Sequence, residues 1–139
     1  MTTNSKLFIL SFKRPGHQAS DDLVDAFAGR VPVRFLALHS LDGESFDLAI
    51  NATSLGLRAS DAPPLPLDTG PSIGAALDLV YSSASTPWVR ALQARGVPAA
   101  DGLEMLIFQG AASFERWWGI PAPIDAMRAS LTRPAAPVP

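Results

Sequence analysis

Residues 46–57 read FDLAINATSLGL, a short apolar run that stops abruptly at Asn-Ala-Thr-Ser-x-Gly. A run of this length, closed by turn-forming residues, is the pattern of a strand buried on both faces. Burial on both faces demands neighbours above and below, which restricts the chain to a covered, mostly parallel sheet. The same pattern recurs as KLFILSF over 6–12, VPVRFLAL over 31–38 and SIGAALDLVY over 72–81, and VPAA at 97–100 adds a short last strand.

Helical segments fall between these runs. In GHQASDDLVDAFAG, Ser20 is positioned as an N-cap, Leu23, Val24 and Phe27 share a face, and Gly29 ends the helix. TPWVRALQARG carries Thr86 at the N-cap, Pro87 at the first helical position and Gly96 just past the end. DGLEMLIFQGAASFERWWG is the longest helix, with Asp101 and Glu104 as a capping-box-like pair and Gly119 and Pro121 as its stop. PIDAMRASL, 123–131, is a final short helix. Strands alternating with helices predict an α/β fold of three layers, a Rossmann-like, mostly parallel sheet. The expected organisation is one domain over 1–131 followed by a disordered proline-rich tail over 132–139.

Composition narrows the function classes. Hydrophobic residues make up 47 % of the 139 positions, enough for a core, and the net charge of −2 lacks the basic stripe of a nucleic-acid binder. Cysteine is absent, which removes disulfides and thiolate metal sites. No apolar run reaches the roughly 20 residues that span a bilayer, and MTTNSK lacks a signal peptide's apolar stretch. The expectation is a soluble cytoplasmic protein. His17 and His39 stand without acidic partners at ligand spacing, so no metal site is predicted. Ser40, Ser54 and Ser113 have no motif that pairs them with a histidine as a nucleophile. Trp117 and Trp118 are expected in the core and rim of the longest helix.

Open parallel sheets bind ligands just beyond the carboxyl ends of their strands. Asn51, Ala52, Thr53 and Ser54 sit at such an end. Small residues there let backbone approach a ligand, and amide and hydroxyl groups supply donors. The alternative is a turn in which the Asn and Thr side chains only reverse the chain. On the longest helix, Gly102, Met105 and Gln109 are spaced i, i+3, i+7 and share one face. A ring could lie on the methionine sulfur while the glutamine amide reaches a polar substrate. The competing reading makes Met105 core filler and Gln109 a partner of a buried carbonyl.

Four stretches together, in order, resemble the carboxyl-terminal, NADP-binding half of shikimate dehydrogenases. FDLAINATSLG is similar to the family's D-L-[IV]-[IV]-N-A-T-x-x-G. ALDLVYSSASTPWVRALQARG resembles its Y-D-x-x-Y-x-P-x-x-T-P-L-L-x-x-A-x-x-x-G. ADGLEMLIFQGAASFERWWG resembles D-G-L-G-M-L-V-x-Q-A-x-x-x-F-x-x-W-x-G, and PIDAMRASL resembles the closing helix. The resemblance implies that Asn51, Ala52 and Thr53 lie along NADP, that Gly102 and Met105 sit against its nicotinamide, and that Tyr81 and Gln109 reach the substrate.

The departures carry equal weight. The family's catalytic Lys and Asp belong to an amino-terminal substrate domain, so no catalytic residue is expected in this chain. The resemblance also implies that the chain starts at the second strand of the nucleotide domain, without the glycine-rich turn that holds a pyrophosphate. Where the family has Asn-Arg-Thr, with the Arg on the 2′-phosphate, this chain has Ser11, Phe12 and Lys13, with Arg14 next. Lys13 and Arg14 are the candidate phosphate cations; the alternative is a solvated basic turn. Glu104 replaces the family's second glycine and puts a negative charge beside the cofactor position.

In the doubly wound order 3-2-1-4-5-6, strand one is central. Its loss would leave unpaired edges, closed by direct pairing of strands two and four or by a second copy in a homodimer. A lesser alternative makes KLFILSF strand one and KRPGHQA a degenerate phosphate turn. Two functions follow: the cofactor half of an NADP-dependent shikimate dehydrogenase, inactive alone and completed by a separate substrate-domain chain, or a non-catalytic remnant that binds a small molecule or protein, or self-associates.

Overall fold

The computed structural model describes residues 6–10, 22, 25–34, 36–58, 60–82 and 84–132. Four strands are present among them: β1 (Leu7–Leu10), β2 (Ser45–Asn51), β3 (Ser72–Asp78) and β4 (Ala99–Asp101). They form one sheet in the order β1-β2-β3-β4, with every pair parallel. Three helices are described from end to end: α1 (Pro87–Gln93), α2 (Leu103–Trp118) and α3 (Ile124–Thr132). This is the Rossmann-like α/β sheet expected from the sequence.

Helix punctuation is realised closely in α1. Thr86 takes an extended backbone and its Oγ1 accepts from the Val89 N–H at 3.3 Å, with Pro87 following it. At the other end Gly96 adopts φ 77°, a left-handed conformation that costs glycine little. Gly119 closes α2 in the same way at φ 66°, its N–H donating to the Glu115 carbonyl. At the start of α2 the expected capping box is absent. Gly102 is the N-cap, Asp101 accepts from the Leu103 N–H at 3.1 Å, and Glu104 is engaged by Arg128 instead. Residues 25–27 are helical and Gly29 is left-handed at φ 77°, where that helix was expected to end; Ser20 lies outside the described residues.

The strand expected over 31–38 does not form among the described residues, and Leu38–Ser40 is a single 3-10 turn. Pro32 has no N–H to give a ladder and fixes its own φ. Arg34 pairs with Glu44 at 3.0 Å, and that segment becomes a connector on the amino-end side of β2.

β1 pairs directly with β2, Leu7 opposite Leu48 through Leu10 opposite Asn51. The sheet therefore has no gap, which is the first of the two closures considered from sequence. β1 occupies the place that strand one holds beside strand four in the doubly wound order. Its start is tied down twice: the Lys6 N–H donates to Asp47 Oδ2 at 2.7 Å, and the Asp47 N–H donates to the Lys6 carbonyl at 2.9 Å.

The core lies on the α1 side of the sheet. Leu41, Phe46, Ala49, Leu65, Ala76, Trp88 and Leu92 form one buried cluster. Gly74 lets β2 and β3 approach there, since a Cβ at that position would come within 2.9 Å of the Asp47 carbonyl oxygen. Apolar burial of this kind is the main stabilising term, at about 25 cal/mol per Å² removed from water.

Candidate active site at the carboxyl edge of the sheet

The strand register puts a polar row across the sheet's carboxyl edge: Asn51 opposite Asp78, and Asp78 opposite Asp101. Asn51 and Asp78 are fully buried. The Asn51 amide donates to Asp78 Oδ1 at 2.7 Å and to the Leu55 carbonyl at 3.0 Å. Its Oδ1 accepts from the Thr53 N–H at 3.0 Å and from Thr53 Oγ1 at 2.6 Å. Both amide protons and both oxygen lone pairs are thereby used. Asn51 fastens the turn that follows β2, as the chain-reversal alternative describes. Ala52 is exposed and Thr53 half-buried at this edge.

Asp78 is the hub of the row. It accepts from Asn51, from the Val80 N–H at 3.1 Å and from Thr86 Oγ1 at 2.7 Å. Thr86 in turn caps α1, so one carboxylate joins the β2 turn, the end of β3 and the start of α1. A buried carboxylate is tolerated only when donors replace its lost water, and three donors do so here. Its role escaped the sequence reading, although an acid inside the apolar run SIGAALDLVY signals it.

Gly102 joins α2 to the same edge. Its N–H donates to the Val80 carbonyl at 3.1 Å, and a Cβ on it would lie 2.5 Å from the Leu79 carbonyl oxygen. Only glycine allows this contact, which brings the α2 amino terminus to the residue preceding Tyr81. Tyr81, Met105 and Gln109 are exposed. Met105 and Gln109 thus occupy the accessible side of α2, while Ile107 and Ala111 form its buried side. Lys13 and Arg14 lie outside the described residues.

Glu104 belongs to this terminus and is paired. Arg128 of α3 reaches it as a fork, Nε to Oε1 at 2.8 Å and an Nη to Oε2 at 2.9 Å. The hydrogen bond from Arg128, ahead of its charge, holds the Glu104 carboxyl below the ordinary glutamate value. Nothing in the local sequence pairs positions 104 and 128.

The profile of the Shikimate 5'-dehydrogenase C-terminal domain matches residues 102–132. The shikimate dehydrogenase (NADP(+)) of Halorubrum lacusprofundi is 42 % identical over 85 residues, covering 61 % of this chain and 31 % of that protein. That of Haloarcula marismortui is 37 % identical over 117 residues, covering 81 % and 43 %. The chain carries a carboxyl-terminal domain of the shikimate dehydrogenase family. Its fold agrees: the Thermus thermophilus shikimate 5-dehydrogenase, solved in complex with NADP(H) and shikimate, superposes with a TM-score of 0.63 at 32 % identity over 82 % of this chain and 41 % of that one. The chain thus spans less than half the length of these relatives.

In this shikimate dehydrogenase domain two clefts among the described residues lie away from the polar row. One of about 370 Å³ is lined by Leu41, Leu65, Pro66 and Pro71, which precede β2 and β3 and so mark the opposite edge of the sheet. Its lining is mainly apolar, with His39, Asp42 and Thr69 as its polar side chains; the carboxyl edge, where parallel sheets receive ligands, is the better candidate. Among the described residues no cluster of His, Cys, Asp or Glu could hold a metal ion, and no helix is long and apolar enough to cross a membrane.

Proposed function

We propose that this domain forms the cofactor side of an NADP-dependent interconversion of shikimate and 3-dehydroshikimate, acting with a substrate domain that carries the proton-handling Lys and Asp. The observation that carries the reading is the joining of Gly102 to the end of β3. It places the α2 amino terminus, with Met105 and Gln109 on its open side, at the carboxyl edge of a parallel sheet. That edge is where such sheets receive dinucleotides.

Gly102 seats the start of α2 tight against the end of β3, and Met105 beside it is 37 % exposed, a polarizable surface for a nicotinamide ring to rest on. NADP would supply the hydride acceptor. The chain's own part is placement: Ala52 and Thr53 border the dinucleotide, while Tyr81 and Gln109 offer a hydroxyl and an amide to the polyhydroxy acid. Lys13 and Arg14 are proposed for the 2′-phosphate. Asn51 and Asp78 act indirectly by holding this edge in shape. As an oxidoreductase of small polar metabolites, the domain is proposed to work in the cytoplasm.

Titration with NADPH, NADH and shikimate tests the reading. NADPH is expected to bind more tightly than NADH, and the chain alone to show negligible NADP-dependent shikimate oxidation. Adding a family substrate domain in trans is expected to raise turnover. Absence of any nucleotide binding would overturn the cofactor assignment, and substantial turnover by the chain alone would overturn the division of labour.

A second reading has its own support. Phe108, Trp117, Trp118 and Ile120 are exposed along and just beyond α2. Large exposed apolar groups mark contact surfaces. Under this reading they receive the substrate-domain chain or a second copy in a homodimer, and binding to a partner is the function.

A further inference from the structure

The shikimate dehydrogenase pattern quoted above has glycine where this chain has Glu104, in the first turn of α2, directly before Met105. An unpaired carboxylate there would act on any nicotinamide lying against Gly102 and Met105. Two facts show how the chain accommodates it. Both carboxylate oxygens are taken by Arg128, at 2.8 and 2.9 Å, in the planar fork that guanidinium and carboxylate form best. Arg128 is itself steadied from its own helix, where Nη1 donates to Asp125 Oδ1 at 3.2 Å. The pairing sets a positive charge against the Glu104 carboxylate and holds its carboxyl below the ordinary glutamate value.

The two forms of the cofactor differ in one relevant respect. The oxidised nicotinamide ring carries a positive charge and the reduced ring is neutral, while their phosphates are the same. A net charge at position 104 therefore acts on the ratio of the two affinities, whereas a general loosening of the site acts on both alike. We infer that Arg128 is a positioning residue whose pairing with Glu104 offsets that carboxylate's charge at the nicotinamide end of the site and thereby sets the preference between oxidised and reduced cofactor. The inference rests on the cofactor reading above.

The experiment is a charge cycle read by titration with NADP+ and NADPH on the full chain. Arg128→Met keeps the aliphatic stem and exposes the Glu104 charge. It is expected to shift the affinity ratio about two- to threefold toward NADP+, the size of one charge acting across a helical turn in a largely aqueous setting. Glu104→Gln removes one negative charge while Arg128 keeps Asp125, and is expected to shift the ratio toward NADPH by a similar factor. The double variant restores the wild-type net charge and the wild-type ratio. Arg128→Lys preserves the charge and keeps the wild-type ratio even if α3 packs less well. Far-UV circular dichroism and melting curves check folding, and Glu104→Gln with Arg128→Lys carry the test if Arg128→Met fails to fold. Equal ratios in every variant, or a double variant that behaves like Arg128→Met, would overturn the inference while leaving cofactor binding intact. Failure of every protein, wild type included, to bind either form would overturn the cofactor reading and this inference with it.

Discussion

Asp78 shows how a single buried side chain can organise the end of a sheet. Its oxygens accept from Asn51, Val80 and Thr86, three neutral donors from three different segments. Asp78→Ala would leave all three donors without an acceptor in a site closed to water. Each such loss costs about 1–3 kcal/mol, and relaxation of the turn recovers part of it, so a total near 3 kcal/mol is expected. A urea unfolding series reads this as a lower midpoint at unchanged slope; a loss under about 1 kcal/mol contradicts the hub role. The composition of the row was legible, since Asn-Ala-Thr at a strand end asks for an explanation. What the row does was not legible, because Asn51 and Asp78 are 27 positions apart and meet only through strand register.

Helices and turns lie at the next scale, and there local chemistry was the better guide. The Thr86-Pro87 start and Gly96 stop of α1 follow from N-terminal donors that need a cap and a C-terminus that needs a left-handed residue. Thr86→Ala removes the cap and one of the Asp78 donors, and is expected to cost about 1–2 kcal/mol, with Thr86→Ser recovering most of it in thermal melts. Gly102→Ala sets a methyl 2.5 Å from the Leu79 carbonyl oxygen, a contact with backbone that cannot swing aside. Overpacking of that kind costs about 1–3 kcal/mol; a variant as stable as wild type would show that α2 does not start tight against β3. The start of α2 also marks where local reading fell short. Asp101 and Glu104 match a capping box, yet Arg128 makes a better partner for Glu104 than a backbone N–H. The pair has a pH signature. A glutamate held below its ordinary value contributes stability that is present above the unfolded-state value and is lost as pH falls through the folded-state one. The protection of α3 amides, with exchange rates corrected for their intrinsic pH dependence, is expected to fall over that acidic window in wild type and to lose this step in Glu104→Gln.

Over the whole molecule, the sheet order is the informative result. With β1 directly on β2, the four strands pair without a break and the carboxyl edge is continuous from Leu10 through Asn51 and Asp78 to Asp101. Continuity gives a ligand an uninterrupted rim to lie along. The apolar residues outside the core are concentrated differently. Trp117 and Trp118 are 78 % and 69 % exposed near the end of α2, where core and rim positions were expected from sequence. The buried side of that helix is set by Ile107 and Ala111, and its last turn extends past them. Trp117→Arg is therefore expected to leave melting temperature nearly unchanged, since surface substitutions usually stay within about 0.5 kcal/mol. It should also lower self-association or substrate-domain binding in sedimentation. A large drop in stability with no change in association would place Trp117 in the fold's own packing instead.

From sequence alone came the class of fold, the extents of β2, α1 and α2, and the family, because apolar periodicity, caps and short motifs are written in contiguous residues. Tertiary structure decided the rest: which strand lies beside β2, that 32–34 and 36–37 connect instead of pairing, that Asp78 is the hub of the strand ends, and that Arg128 answers Glu104. Each of these depends on groups far apart in the chain, whose pairing is chosen by sheet register and helix packing after the local elements have formed.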